Sequence, residues 1–429
     1  MSVRSGYKQT DLGEIPEDWG VVYFGQIVSS YRNGIYKPSS FYGRGLPCIR
    51  MYNIEDGKVK KANAPLLDVT KQEATNYGLL PGDILINRVN SIDQVGKAGI
   101  VPDDLGDATF ESKNIRVRVS PDKCNSNYLA YFLNTSLYLK QIRSTIKPAV
   151  AQATINQDDL DQIQICMPAL SEQQEITCIL STVDESIQKS DQIITKTQQL
   201  KTGLMQQLFT RGIGHSIFKQ TEVGEIPEEW DIVILNDYAI VKGRIGWKGL
   251  KASEYTETGP YLIANKHLLN QKVVWDKCDH ISSFRYEESQ EIQLRTGDVI
   301  LSKDGTIGKP AFLDSLPNKA TINSTMMLLR VHDNNLDAQF LFYFLQTQSF
   351  KRFIFQKTSG SSIPHLFQGD MKQLKFALPP KEEQSKIIST LSSIDLRLEK
   401  EMLMKEALKN LKKGLMNDLL TGKVRVKVT

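Results

Sequence analysis

The sequence contains the same frame twice, 211 residues apart. Residues 7–22 read YKQTDLGEIPEDWGVV and residues 218–233 read FKQTEVGEIPEEWDIV, with ten of sixteen positions identical. The same offset returns far downstream, where it relates Pro168 to Pro379 and Asp184 to Asp395. It also relates Glu172-Gln173 to Glu383-Gln384 and Gly203-Leu204-Met205 to Gly414-Leu415-Met416. Because one offset holds at both ends of the unit, the chain is an internal duplication of two similar halves.

Between these frames the similarity shrinks to short islands inside two variable segments, 23–165 and 234–376. Gly82-Asp83-Ile84-Leu85 resembles Gly297-Asp298-Val299-Ile300, Gly96-Lys97-Ala98 resembles Gly308-Lys309-Pro310, and Tyr131-Phe132-Leu133 equals Tyr343-Phe344-Leu345. The apolar stretches 115–119 and 326–331 predict strands, and each Gly-Asp pair predicts a turn into a strand. Residues 126–142 and 337–354 predict buried helices opened by Ser or Asp caps.

The segments 168–211 and 379–422 each predict one long helix of about 40 residues with a single apolar heptad seam. The seam residues are Ile176, Leu180, Val183, Ile187, Ile194, Leu204 and Leu208 in the first helix, and Ile387, Leu391, Ile394, Leu398, Leu408, Leu415 and Leu419 in the second. Polar residues interrupt both seams: Ser190, Thr197 and Lys201, and Glu401, Lys405 and Lys412. A local two-fold would pair the helices antiparallel, and the polar positions would fix their register. The alternative is that each helix packs on its own domain.

These observations predict an α+β chain of two mixed α/β domains separated by two long antiparallel coiled-coil helices, with an internal pseudo-two-fold repeat. The predicted divisions are a first domain at 1–165, a first long helix at 166–213, a second domain at 214–376, and a second long helix with a C-terminal tail at 377–429.

Composition narrows the functional classes. Lys and Arg number 53 against 49 Asp and Glu, a net charge of +4, which is low for a protein that wraps nucleic acid without sequence preference. The five cysteines form no Cys-x-x-Cys pair, which predicts free thiols, no zinc site and a reducing cytoplasmic location. No phosphate-binding or dinucleotide-binding glycine motif, no Asn-Pro-Pro-aromatic methyltransferase motif and no His-Glu-x-x-His motif occurs. We therefore expect no catalytic, metal or cofactor site in this chain.

One pattern formally matches a nuclease motif. Asp103 follows Pro102, and Glu111 and Lys113 come eight and ten residues after Asp103, as in the Pro-Asp…Glu-x-Lys arrangement that holds a divalent metal. The corresponding loop of the second half lacks the Glu and the Lys. We favour a solvated loop over a self-contained Mg²⁺-dependent nuclease.

Candidate DNA contacts are cationic and amide side chains in the loops of the variable segments, because Arg and Lys bind guanine or phosphate and Asn binds adenine. In the first half they are Arg32, Lys37, Arg44, Arg50, Asn87, Arg88 and Lys97. In the second half they are Arg244, Lys248, Lys251, Asn265, Lys266, His267, Lys303, Lys309, Lys357, Ser361 and Ser362. Each of them is also open to interpretation as a solvated surface residue.

The whole arrangement resembles the specificity subunits of type I restriction–modification systems. The resemblance is carried by Leu12-Gly13-Glu14-Ile15-Pro16-x-x-Trp19, by its repeat from Val223 to Trp230, and by the Pro…Glu-Gln…Ile-x-x-x-Leu patterns at 168–180 and 379–391. It covers the whole chain.

The resemblance implies a non-catalytic subunit that binds double-stranded DNA, in which each variable domain reads one half of a bipartite site. It also implies that the helices set the gap between half-sites and dock two methyltransferase subunits, to which restriction subunits can be added. S-adenosylmethionine, ATP and Mg²⁺ would then bind to those partners. Because the two variable segments differ, we expect an asymmetric site. A coiled-coil adaptor that binds protein instead of DNA remains the other alternative.

Overall fold

The computed structural model describes residues 3–146, 153–244, 250–358 and 364–427. The chain forms two compact units, one of residues 1–191 with 403–429 (unit 1) and one of residues 192–402 (unit 2). Each unit therefore contains one half of each long helix. The divisions predicted at 165 and 376 fall just before the long helices instead, and they stay predictions.

Unit 1 is built on a six-stranded sheet beside a three-stranded one. Its strands are β1 (Tyr7–Thr10), β2 (Gly13–Pro16), β3 (Gly20–Tyr23), β4 (Val28–Asn33), β5 (Tyr42–Ile49), β6 (Ile54–Glu55), β7 (Lys58–Val59), β8 (Leu66–Leu67), β9 (Ile84–Asn87), β10 (Val89–Asn90), β11 (Ala98–Ile100), β12 (Thr109–Phe110), β13 (Asn114–Val119), β14 (Ala153–Thr154) and β15 (Gln164–Met167). The large sheet has the order β4-β13-β9-β11-β7-β6 and the smaller one β12-β5-β8. The frame forms the hairpin β1-β2 and the pair β15-β3.

The helices of the first half end with the first long helix. They are α1 (Lys71–Tyr77), α2 (Ser126–Phe132), α3 (Ser136–Thr145), α4 (Gln157–Asp161) and α5 (Leu170–Leu208). The core of unit 1 joins β9, β13, α2 and α3 to the start of α5 and the end of the second long helix.

Unit 2 repeats this plan with fewer paired strands. Its strands are β16 (Phe218–Thr221), β17 (Gly224–Pro227), β18 (Asp231–Ile234), β19 (Ala239–Gly243), β20 (Tyr255–Ile263), β21 (Leu268–Leu269), β22 (Lys272–Val273), β23 (Asp279–Ile281), β24 (Val299–Ser302), β25 (Pro310–Phe312), β26 (Ala320–Ile322), β27 (Met326–Val331) and β28 (Lys375–Leu378). They form the sheets β19-β27-β24-β25 and β23-β20-β26, with β16-β17, β18-β28 and β21-β22 as pairs. The helices are α6 (Leu235–Tyr238), α7 (Ser283–Glu287), α8 (Ala338–Phe344), α9 (Gln348–Thr358), α10 (Gln368–Lys372) and α11 (Lys381–Leu419).

The strands predicted at 115–119 and 326–331 are confirmed as β13 and β27, each next to the strand that follows a Gly-Asp turn. The predicted helices at 126–142 and 337–354 are each two helices instead of one. Thr135 and Thr347 cause the break, because each hydroxyl donates to a carbonyl three residues earlier (both 2.7 Å) and accepts the N–H three residues later. The predicted Asp cap is confirmed as Asp337, whereas the first cap is Asn125 and not Ser126.

The two long helices are confirmed, with 39 residues each in α5 and α11. In unit 1 the side chain of Asp184 pairs with Lys412 (2.6 Å), and Asp191, seven residues later on α5, pairs with Lys405, seven residues earlier on α11. The helices therefore run antiparallel. In unit 2, Lys201 pairs with Asp395 at 2.6 Å.

The predicted apolar seam is buried or half-buried at every position. Ser190, Thr197 and Lys201 are buried polar residues in it, as the interruption of the seam predicts. Lys201 and Lys412 each reach an aspartate of the other helix, so a separate ion pair fixes the register within each unit.

The repeated Trp and Glu of the frame bind one another. In unit 1 the indole of Trp19 donates to Glu172 in the first turn of α5 (3.0 Å). Arg425, in the tail after α11, donates to the same carboxylate (2.8 Å) and to Asp18, whose pKa it lowers. The buried carboxylate thus has both a neutral donor and a cation, which offsets the free energy of burying it.

Unit 2 repeats the contact between the indole and the carboxylate, with different additional partners. Trp230 donates to Glu383 in the first turn of α11 (2.9 Å). The segment after α5 supplies the remaining partners, namely the Ile213 N–H (2.7 Å) and the His215 ring (3.0 Å).

The Gln of each Glu-Gln motif joins the long helix to the preceding domain. Gln173 accepts the backbone N–H of Asn125, the residue that caps α2 (2.8 Å). Gln384 accepts the N–H of Asp337, the residue that caps α8 (2.8 Å). Within each motif the Glu therefore binds the tryptophan of the frame, and the Gln binds the preceding domain.

Within the described residues, no helix is long and apolar enough to cross a membrane. All five cysteines are free, as predicted, and Cys178 on α5 is the exposed one. Burial raises the pKa of the Cys48, Cys124, Cys166 and Cys278 thiols to about 12.

We expect Arg425→Ala to destabilise unit 1, because it leaves the buried Glu172 carboxylate without its cation. The free energy of unfolding should fall by roughly 1–3 kcal/mol, measured by urea denaturation. Lys427→Ala, which changes an exposed lysine of the same tail, is the control and should leave it unchanged. Equal stability of the two variants would contradict the assignment.

The buried thiols predict selective labelling. At pH 8 a maleimide or disulfide reagent should modify Cys178 rapidly and the other four only after unfolding in guanidinium, because thiols with a pKa of about 12 are protonated at that pH. Mass spectrometry counts the adducts. Cys178→Ser should abolish the rapid reaction, and rapid labelling of that variant would show that the core is open.

Candidate nucleic-acid interface

In unit 1 the strand β9 ends at Asn87, and Arg88 follows it at the edge of the sheet. The Arg88 N–H donates to the Lys113 carbonyl (2.8 Å), and the Arg88 carbonyl accepts the Ile155 N–H (2.9 Å). The side chain is half-buried, and its Nε atom has no hydrogen-bond partner among the described residues. The backbone of Arg88 is therefore fixed from both sides, and its buried Nε–H is a donor without a partner among the described residues.

Unit 2 places Lys303 in the same backbone position. The strand β24 ends at Ser302, the Lys303 N–H donates to the Thr325 carbonyl (2.9 Å), and the Lys303 carbonyl accepts the Leu366 N–H (3.1 Å). The structural equivalence of Arg88 and Lys303, which the alignment of the short islands predicts, is confirmed by this shared pattern.

The glycine-bounded loops before Lys97 and Lys309 also correspond. Gly96 donates its N–H to Asn87 and Gly308 donates to Ser302, both at 2.8 Å. Gly308 has φ +80°, and a Cβ there would lie 2.2 Å from the Ile354 side chain. Only glycine therefore allows the loop to fold back this closely onto α9.

The Asp of each Gly-Asp island positions these loops from inside the domain. Asp83 is buried and accepts from Arg118 of β13 (2.7 Å). Asp298 makes the same contact with Arg330 of β27 (2.7 Å). These ion pairs tie the start of the loop-bearing strand to its neighbour, a role that the sequence pattern, which indicated only a turn, did not reveal.

Three of the cations predicted in the first half, namely Lys37, Arg44 and Arg50, are paired with carboxylates. Lys37 lies 2.7 Å from Glu73 and is mostly buried, and Arg44 lies 2.7 Å from Asp68 but is 83% exposed. Arg32 lies over the ring of Tyr77. Asn87 is buried and donates to a neighbouring amide, whereas Lys97 is half-buried.

The arrangement around Arg50 disfavours the nuclease hypothesis. Arg50 stacks over the Tyr42 ring (4.9 Å) and lies 3.7 Å from Glu111. The Glu111 carboxylate also accepts the Met51 N–H (3.0 Å), so it is occupied by protein groups, while Asp103 is exposed in the turn after β11. Across the described residues, no group of three His, Cys, Asp or Glu side chains could hold a metal ion.

Two of the predicted contacts in the second half lie in the interior of unit 2. Arg244 is 4% exposed and donates to the Ile322 carbonyl and the Ser289 hydroxyl (both 3.1 Å). His267 is buried, accepts the Ala264 N–H (3.0 Å), and has its pKa lowered by burial. Their geometry indicates structural roles, so we no longer favour them as DNA contacts.

The other candidates of the second half divide into paired and open side chains. Lys266 pairs with Asp279 (2.9 Å), and Lys357 lies 3.4 Å from Asp370. The Asn265 amide donates to a loop carbonyl (2.9 Å). Lys251 and Lys309 are exposed, and Lys248, Ser361 and Ser362 lie outside the described residues.

The sequence did not predict one pair of side chains beside Lys303, formed by His365 and Asp304. His365 binds the Asp304 carboxylate. Asp304 directly follows Lys303, and His365 directly precedes Leu366, whose N–H donates to the Lys303 carbonyl. Sixty-one residues separate the two side chains, and no local pattern announces that they meet.

Taken together, the two units present one loop arrangement with different side chains on two sheets of similar topology. Such a protein belongs to the class in which a constant frame carries variable recognition surfaces. The family model for the type I restriction modification DNA specificity domain matches residues 16–199 and again residues 227–409. The chain therefore belongs to the family of type I restriction–modification specificity subunits, which recognise DNA sequences.

Relatives support this membership over the full length. The chain is 30% identical to a putative type I restriction enzyme MjaX specificity subunit of Methanocaldococcus jannaschii, over 99% of this chain and 98% of the relative. It is 28% identical to the MjaVIII specificity subunit of the same organism, over 98% and 97%. A crystal structure of the type I restriction–modification S subunit from M. genitalium shares the fold, with a TM-score of 0.58, 14% identity and coverage of 98% of both chains.

Proposed function

We propose that this chain is the non-catalytic DNA-reading subunit of a type I restriction–modification complex, with each recognition domain reading one half of an asymmetric bipartite site. The observation that carries the proposal is the equivalence of the two loop pairs. Unit 1 offers Arg88 and Lys97 where unit 2 offers Lys303 and Lys309. The same scaffold with different donors suits two different half-sites.

The chemistry of these residues fits base reading in the major groove. The Arg88 guanidinium has a fork of N–H donors that matches O6 and N7 of guanine, whereas the ammonium of Lys303 is a single point of contact. Exposed Lys309 and Arg44 are better suited to phosphate oxygens, which position the protein without specifying sequence.

The long helices supply the remaining parts of the proposal, namely the gap between half-sites and the docking of methyltransferase subunits. Outside the seam, Ile193 and Leu200 on α5 are exposed, and so are Met404 and Leu411 on α11. The exposed fraction is 36% for Ile193 and 52% to 56% for the other three. Each residue of the first pair is related to one of the second by the 211-residue offset. Exposed apolar residues at matching positions favour two equivalent docking surfaces, and hence two copies of one partner. We expect S-adenosylmethionine, ATP and Mg²⁺ to bind to the partner subunits.

Substitution of the equivalent loop cations should affect one half-site each. In a complex with the methyltransferase subunit, Arg88→Ala should relax the sequence preference of one half-site and Lys303→Ala that of the other. A lost base contact costs roughly 1–3 kcal/mol of discrimination, whereas a lost phosphate contact weakens all sequences alike. Sequencing of methylated positions and binding titrations at several salt concentrations measure both.

Lys123→Ala is the control, because this exposed lysine lies beside the cap of α2 and its ammonium donates to the Gln26 carbonyl. It should leave both half-sites unchanged. If Arg88→Ala altered both half-sites together, the division of reading between the units would be wrong.

The docking surfaces predict a stepwise loss of partners. Leu200→Glu and Leu411→Glu should each remove one methyltransferase copy, and the double variant both, because a carboxylate would be buried in an apolar contact. Native mass spectrometry gives the stoichiometry. Gln198→Glu, at an exposed position on the same turn of α5, should keep both copies; retention of two copies by the double variant would place docking elsewhere.

A further inference from the structure

In unit 1 three side chains from three parts of the chain form one cluster around the carboxylate of Asp184. The Tyr131 hydroxyl, at the end of α2, donates to Oδ2 of Asp184 on α5 (2.8 Å). The ammonium of Lys412 on α11 binds the other oxygen, Oδ1, at 2.6 Å. The same ammonium lies 5.3 Å from the centre of the Tyr131 ring, so each of the three groups contacts both others.

Unit 2 contains the same cluster. Tyr343 of α8 donates to Oδ2 of Asp395 on α11 (3.0 Å), and Lys201 of α5 binds Oδ1 (2.6 Å). Lys201 lies 5.4 Å from the Tyr343 ring centre. The helices have exchanged roles, because the aspartate comes from α5 in unit 1 and from α11 in unit 2, as an internal two-fold requires.

The first cluster is largely removed from water, whereas in the second the Lys201 side chain is 11% exposed and that of Asp395 is 34% exposed. The Lys412 and Asp184 side chains are 16% and 11% exposed. Burial, reinforced by the neighbouring aspartate, raises the pKa of both Tyr131 and Tyr343, so each hydroxyl remains a donor at neutral pH. Buried ion pairs stabilise a fold little compared with apolar residues of similar size, but they penalise every arrangement that separates the partners.

An apolar heptad seam by itself specifies register poorly, since a slide of one repeat restores similar contacts. A slide of α11 along α5 would take Lys412 away from Asp184, and a movement of the recognition domain along the helices would take Tyr131 away from it. One carboxylate therefore fixes both the register of the helices and the position of the recognition domain on them.

We propose that Tyr131-Asp184-Lys412 and Tyr343-Asp395-Lys201 determine spacing specificity: they hold each recognition domain at one position on the helix pair and thereby set which gap between half-sites is accepted. This inference rests on the proposed function, in which the domains read the two halves of one site. The six residues are positioning residues and contact no base.

The experiment measures methylation of a DNA library in which the two half-sites are separated by the natural gap or by one or two base pairs more or fewer. The complex of the full chain with its methyltransferase subunit is used. The variants are Tyr131→Phe with Tyr343→Phe, which removes only two hydroxyls, and Lys201→Met with Lys412→Met. The readout is the ratio of methylation at the natural gap to methylation at the neighbouring gaps.

We expect each pair of substitutions to lower this ratio about tenfold, as the loss of a charge-assisted hydrogen bond at each seat implies, while both half-site sequences stay unchanged. A merely structural role would lower methylation at all gaps alike and leave the ratio constant. Lys405→Met is the matched control, because Lys405 also forms an ion pair between α5 and α11, with Asp191, and belongs to neither cluster.

An unchanged ratio in the tyrosine variants overturns the inference and leaves the proposed function standing. If the wild-type complex methylates no bipartite site, the proposed function fails and the inference fails with it. A lowered ratio in Lys405→Met equal to that of the cluster variants would also overturn the inference, since any helix-to-helix ion pair would then suffice.

Discussion

A buried carboxylate in the first turn of each long helix is the contact on which both units depend. Glu172 and Glu383 each accept an indole N–H from the frame and a second donor from the segment that follows the other long helix. A carboxylate in that position without donors would be strongly unfavourable. The frame, the start of one helix and the end of the other must therefore come together as a set.

The repeated motifs of the two halves bind one another, and the variable segments pack on that set through apolar residues. The Glu-Gln pair holds the tryptophan with one side chain and the cap of a domain helix with the next. Most buried positions of the sheets are apolar and can be filled by different apolar residues in the two halves. This separation explains why sequence similarity between the halves is high at the frames and nearly absent between them.

Periodicity and a constant offset can be read directly from the linear sequence. The sequence therefore predicts the repeat, the two long helices and the equivalence of Arg88 with Lys303. It does not predict the breaks at Thr135 and Thr347, since a single hydroxyl decides them. Arg244 was predicted as a DNA contact because it is charged, but a carbonyl and a hydroxyl from distant segments bury it.

The ion pairs could be predicted only in part, because their partners come from distant segments of the chain. Lys201 and Lys412 were recognised as polar seam positions, whereas their partners on the other helix depend on register, which only the packed helices define. The contact of His365 with Asp304 depends on the return of the chain to the sheet edge after two helices. Such contacts are properties of the tertiary fold.

The position of Arg425 has a consequence for the order in which the chain is completed. Unit 1 contains the first 191 residues but also the last 27, and its core includes Leu419 and Leu420. Unit 2 is continuous from residue 192 to residue 402. During synthesis from the N-terminus, the ribosome delivers every residue of unit 2 before it delivers the closing residues of unit 1. The half that is made first is thus completed only after the other half, and a nascent chain must keep the apolar surface of its opening segment from aggregating until residues 403–429 have been made.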